Sequence, residues 1–152
     1  MDFQYDKKGL MERIILPKKS LAPNFIGSWV MNPLSLCDDL IDYFESNENK
    51  QKRGITKGGK NQEIKNSTDI TITPNEIKLP GNEVFDQYFK HLFDCYQDYV
   101  NQWPFLESFA ENLQISSFNL QRYKSGQHFQ KVHTERSSLD TLHRVFAWMT
   151  YL

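Results

Sequence analysis

Between Asn82 and Trp103 the chain sets Phe85, Tyr88, Phe89, Leu92, Phe93, Tyr96 and Val100 at helical spacing, with Asp86, Lys90, Asp94 and Asp98 largely opposite. Residues three and four apart share one face of a helix, so this pattern predicts a single long amphipathic helix. Asn82 after Pro80-Gly81 offers a capped start, and Pro104 a stop. A stripe this aromatic has to be covered, and packing against a sheet is a far commoner way to cover it than a bound cofactor. With 11 Phe, 7 Tyr and 3 Trp in 152 residues there is material for a core, and the length suits one domain spanning 1–152.

The other elements arrange themselves around that helix. Pro33 to Glu45 opens with proline and serine and repeats Leu36, Leu40, Ile41 and Phe44 at helical spacing, which predicts a first amphipathic helix. Glu12 to Pro17 reads as a peripheral strand, and Ser20 to Asn32 as loop. Asn47 to Asn66 carries six basic residues with glycines at 54, 58 and 59, so it reads as a mobile surface loop. Ser67 to Thr73 alternates Ile70 and Ile72 with polar residues, the pattern of a strand with one buried face. After a helical turn around Phe105 to Glu111, Ile115 to Tyr123 reads as a strand. Lys124-Ser125-Gly126 is a turn, Gln127 to His133 is extended again, and Arg136 to Thr141 is a loop. Arg144 to Leu152 is an apolar strand that stops at the last residue. A core strand with no closing partner leaves ladder hydrogen bonds unaccounted for, so a truncated chain is expected.

Composition excludes several function classes. A net charge of -1 gives no long-range field for nucleic acid or an anionic membrane, and the basic run at 50–65 lacks interleaved aromatics for stacking on bases. No run approaches the length of a membrane span, and Met1 to Lys8 lacks the apolar core of a signal peptide, so a cytoplasmic protein is expected. Cys37 and Cys95 stand far apart without a CxxC partner and read as two buried thiols, neither a disulfide framework nor a zinc-thiolate site.

The chemistry-bearing stretch is Tyr123 to Glu135. On an extended backbone, positions i and i+2 point the same way, so His133 and Glu135 can offer a nitrogen and an oxygen to one cation. Four readings compete for this His-x-Glu: an ordinary surface pair, a zinc deaminase, a zincin and a non-haem Fe(II) site. The deaminase requires a downstream P-C-x-x-C and the zincin an H-E-x-x-H, and neither is present. The facial triad of Fe(II) oxygenases uses such a pair plus a second histidine. His128 sits at odd spacing from His133, on the opposite face of a regular strand, and His143 reads as a structural or surface residue.

Taken with its flanks, Arg122-Tyr123-x-x-Gly126, His133-x-Glu135 and Tyr151-Leu152, the segment 112–152 resembles the N-terminal half of the core of Fe(II)/2-oxoglutarate-dependent dioxygenases of the prolyl 4-hydroxylase-like group. Upstream, the helix at 33–45, Ser67-Thr68-Asp69 and the helix at 82–103 follow the order of that group's support region. The resemblance implies an α+β fold, with N-terminal helices (1–111) packed on a double-stranded β-helix, a cupin-like jelly roll. Residues 112–152 would give its first strands, and the core would be incomplete at the C-terminus. It implies Fe(II) and 2-oxoglutarate as cofactors, with ascorbate as a candidate auxiliary. His133 and Glu135 would be metal ligands, and Tyr123 and Tyr151 would line the cosubstrate pocket. The implied reaction is hydroxylation of a peptidyl substrate, prolyl or other, or of a small molecule. This chain has Glu135 where the family usually has aspartate. The family's second metal histidine and its basic residue for 2-oxoglutarate lie beyond the equivalent of Leu152, so the chain is expected to be catalytically incomplete. The alternative is a non-catalytic binding or structural remnant of the same fold.

Overall fold

The computed structural model describes residues 4–5, 12–15, 25–56, 59, 61–109 and 113–152. The fold is α+β, with three α-helices and two small antiparallel sheets among the described residues. The chain divides into two compact units, each drawing on two separate stretches of sequence: Met1–Leu40 with Lys78–Leu113, and Ile41–Ile77 with Gln114–Leu152.

In the first unit the dominant element is α2, Glu83–Gln102. Phe85, Tyr88, Cys95 and Val100 are buried, and Phe89, Leu92 and Tyr96 are half-buried, as the aromatic stripe requires. Phe93, also expected on the covered face, is 57% exposed because it lies at the margin of the stripe. Asn82 occupies the N-cap without a capping hydrogen bond from its side chain, and Glu83 Oε1 instead accepts the Gly81 N–H at 3.0 Å. A short α3, Leu106–Phe109, follows, with Leu106 buried. The first sheet joins β1 (Gln4–Tyr5), β2 (Glu12–Arg13) and β3 (Trp29–Val30), with Arg13 opposite Trp29. β3 falls inside the stretch expected to be loop. It is two residues long and defined by a distant partner, so local sequence gave no signal for it. Its Trp29 indole donates to Asp98 Oδ2 on α2 at 2.8 Å, and the Tyr99 hydroxyl donates to the Phe25 carbonyl at 2.6 Å. The expected strand at 12–17 is confined to Glu12–Arg13 among the described residues; 16 and 17 lie outside them.

Helix α1, Ser35–Ser46, runs from the first stretch into the second. Leu36, Leu40, Tyr43 and Phe44 are its buried residues, while Asp38, Asp39, Asp42 and Glu45 face water. Ile41, expected inside, is 40% exposed, and Tyr43 takes the inward position.

The second unit is built on β5, Thr68–Ile72, which lies between β4 (Lys52–Arg53) and β6 (Phe118–Arg122). Ile70 pairs with Leu120 and Ile72 with Phe118, and both isoleucines are 1% exposed. Arg122 at the end of β6 lays its guanidinium over the Phe44 ring, 5.1 Å from the centroid, and pairs with Glu45 at 2.6 Å. The apolar segment 144–152 keeps a strand-like alternation, with Arg144, Phe146 and Trp148 half-buried and Val145, Ala147 and Met149 exposed. It belongs to no strand of either sheet among the described residues, where a strand was expected: its side chains alternate without a ladder being formed there.

Candidate functional site

The site grows from the end of β6. Beyond Tyr123 the chain reverses through a turn closed by Gln127 N–H to the Lys124 carbonyl (2.8 Å), with Gln127 Oε1 accepting the Lys124 N–H at 2.7 Å. Gly126 sits at φ +79°, a conformation that glycine adopts without steric cost. The returning segment pairs antiparallel with residues 64–66: Asn66 N–H donates to the His128 carbonyl at 2.8 Å, and Gln130 N–H to the Ile64 carbonyl at 2.9 Å. Phe129 is thereby placed opposite Lys65.

Four residues further on, the His133 ring stacks on Phe129, with centroids 4.8 Å apart and planes at 34°. His133 Nδ1 lies 3.0 Å from the Lys131 carbonyl oxygen. A carbonyl only accepts, so Nδ1 carries a proton and Nε2 is the nitrogen left for another partner. Nε2 faces Glu135 Oε1 at 3.3 Å. Two donors of like polarity at this distance repel unless a positive charge lies between them, either a second proton on Nε2 or a cation. Ligands at adjacent corners of a metal with bonds of about 2.1 Å stand roughly 3 Å apart, so the pair fits two positions of one coordination sphere. Both side chains are close to half-exposed and open to an ion from solvent.

The other carboxylate oxygen, Glu135 Oε2, is held by Arg144 Nη1 at 2.7 Å. Arg144 is brought back by the folded loop between them. Ser138 and Thr141 cap a 3-10 turn at Leu139–Thr141, Arg144 N–H donates to the Thr141 carbonyl, and Arg136 Nε donates to the Leu142 carbonyl at 3.0 Å.

A second cluster adjoins the Phe129 segment through Lys65, and no local sequence pattern announces it. Lys65 belongs in sequence to a basic run expected in a surface loop, yet its side chain is 5% exposed and its Nζ lies 2.6 Å from Asp69 Oδ2. Ser67 Oγ donates to Asp69 Oδ1 at 2.7 Å, and Gln121 Nε2 reaches Asp69 Oδ2 at 3.3 Å. Gly54 is buried against the cluster: a Cβ there would stand 2.1 Å from Ser67 Oγ. The loop at 47–66 is therefore not wholly a surface loop, because one buried carboxylate draws its last lysine inward; 57, 58 and 60 lie outside the described residues. A hint was present in the sequence, in a lysine four residues before an aspartate on a predicted strand, but nothing local marked those two charges as buried.

Of the residues singled out from sequence, the structure brings together His133 and Glu135. Tyr123 is 40% exposed, its hydroxyl 3.5 Å from Gln121 Oε1, and Tyr151 is 86% exposed. Among the described residues no hydrogen bond or ring contact joins either tyrosine to the pair. His128 Nε2 lies 3.2 Å from the Glu63 carbonyl, and His143 is exposed. Among the described residues no group of three His, Cys, Asp or Glu side chains could hold a metal ion, and no helix is long and apolar enough to cross a membrane. Cys95 is buried and Cys37 half-buried, both free thiols. No family model, no curated protein and no solved structure matches this chain.

Proposed function

We propose that the chain carries part of the metal site of an Fe(II)- and 2-oxoglutarate-dependent dioxygenase of the prolyl 4-hydroxylase-like group, acting on a peptidyl or small-molecule substrate. In this reading the helices are the support region and β6 with the following segments belongs to a double-stranded β-helix core. The observation that carries the proposal is the His133–Glu135 pair, with Nδ1 tied to a carbonyl and Nε2 turned toward a carboxylate oxygen 3.3 Å away. Backbone anchoring of one ring nitrogen is the usual way a protein presents the other to a metal. His133 Nε2 and Glu135 Oε1 would hold the ion, and Fe(II) with 2-oxoglutarate and O2 supplies the oxidising power to hydroxylate a C–H bond, with succinate and CO2 as co-products. Arg144 stays on the outer carboxylate oxygen and fixes the orientation of Glu135. Tyr151 is 86% exposed and its phenol would donate to an incoming carboxylate, and Tyr123 would do so by giving up its 3.5 Å contact with Gln121 Oε1.

The second reading, a non-catalytic remnant of this architecture, is favoured by the Arg144–Glu135 pair, which already neutralises the carboxylate. Anaerobic Fe(II) titration separates the two. Stoichiometric micromolar binding that disappears in both His133→Ala and Glu135→Gln supports the metal site. Equal binding by wild type and His133→Ala, or none by either, supports the remnant.

A further inference from the structure

The buried Lys65–Asp69 pair is far from any role in the proposed chemistry if only the metal ligands are considered, yet it leads directly to His133. Asp69 lies on β5 and accepts from Lys65 Nζ, Ser67 Oγ and Gln121 Nε2, three donors that fix the carboxylate against the sheet. Lys65 is held in turn, and its backbone pairs with Phe129. Its ammonium also stands 5.8 Å from the centroid of the Phe129 ring, within range of a cation–π attraction. The same Phe129 ring carries the His133 imidazole, 4.8 Å away. Phe129 is 40% exposed, so the pairing with Lys65 and the ammonium below it, not deep burial, keep the ring in one place.

We infer that Lys65, fixed by Asp69, is a positioning residue for His133, acting through the Phe129 ring to hold the imidazole plane with Nε2 aimed at Glu135. The inference rests on the metal-site reading above. A ring free to turn about its Cα–Cβ and Cβ–Cγ bonds spends part of its time with Nε2 away from the carboxylate. A ring packed against a held phenyl spends more of its time with Nε2 toward Glu135, the arrangement seen here at 3.3 Å, and less of that orientation has to be won when an ion binds. Supporting groups of this kind change metal affinity by 10- to 100-fold when removed from characterised sites.

The test uses Co(II) as a visible probe of divalent binding, and imidazole 15N chemical shifts of the metal-free protein. Phe129→Leu is the primary variant, because a partly exposed position leaves the core intact. The second is the paired change Lys65→Met with Asp69→Leu, which removes both charges together and leaves neither orphaned. Wild type is expected to bind Co(II), and its metal-free His133 ring to give one set of 15N shifts with Nδ1 carrying a proton. Both variants are expected to bind Co(II) at least tenfold more weakly, with averaged tautomer signals and an unchanged circular dichroism spectrum. Combining them should add little to either, since both act through one ring. Wild-type Co(II) affinity and a single tautomer in both variants would overturn the positioning role and leave the metal site standing. Absence of Co(II) binding in wild type would overturn the metal-site reading, and this inference with it.

Discussion

Lys65 and Asp69 stand four residues apart in sequence with Nζ and Oδ2 at 2.6 Å, and their side chains are 5% and 10% exposed. Two charges so far from water are tolerable only together. Removing one partner, as in Lys65→Ala or Asp69→Ala, strands the other and is expected to cost about 3–5 kcal/mol of stability. The apolar pair Lys65→Met with Asp69→Leu should cost much less than the sum of its parts. Urea midpoints of the three variants check this, and additive losses would show that the pair contributes no mutual stabilisation.

The aromatic stripe of α2 predicts a graded response. Phe85 is fully buried and Phe93 is 57% exposed, although both lie on the apolar side of the same helix. Phe85→Ala should destabilise the protein by about 3–5 kcal/mol, and Phe93→Ala by less than about 1 kcal/mol. Thermal unfolding of the two variants side by side is sufficient. Comparable losses would mean that Phe93 is covered in solution.

Cys95 makes an alkaline prediction. Burial, reinforced by the nearby Asp94 and Asp98 carboxylates, pushes its thiol from the ordinary 9.0 up to about 12. The unfolded chain releases this proton from about pH 9, while the native state keeps it to about pH 12. The contribution of Cys95 is therefore fully present below pH 9 and lost as the pH climbs toward 12. The stability of wild type should fall more steeply than that of Cys95→Val between pH 9 and 11. At pH 8, iodoacetamide should label Cys37 before Cys95, as peptide mapping by mass spectrometry would reveal; Cys95 labelled first in the folded protein would contradict this.

What the sequence disclosed follows from the range over which each feature is encoded. The helix at 82–103 and the inward isoleucines 70 and 72 were legible because periodicity is local, and the structure places α2 at Glu83–Gln102 and β5 at Thr68–Ile72. The proximity of His133 and Glu135 was likewise readable from i, i+2 spacing. Trp29–Val30 as a strand was not, since its identity lies in its pairing with Glu12–Arg13. Lys65 looked like its basic neighbours, and only a fold that brings Asp69, Ser67 and Gln121 together distinguishes it. Arg144 was read as the start of a strand, whereas its guanidinium serves Glu135, nine residues back, through a loop closure that no pattern announces.

The central strand of the second sheet carries a consequence for biogenesis. Thr71 of β5 meets Asn119 of β6, 48 positions further along the chain. At ordinary rates of synthesis, β5 leaves the ribosome several seconds before its partner exists. Through that interval Ile70 and Ile72 lie on an unpaired edge, the kind of surface that recruits other strands. Closing so long a loop is also an entropic barrier that must be crossed before any ladder bond forms. The nascent chain is thus most exposed to chaperones and to self-association between the emergence of Ile72 and that of Phe118.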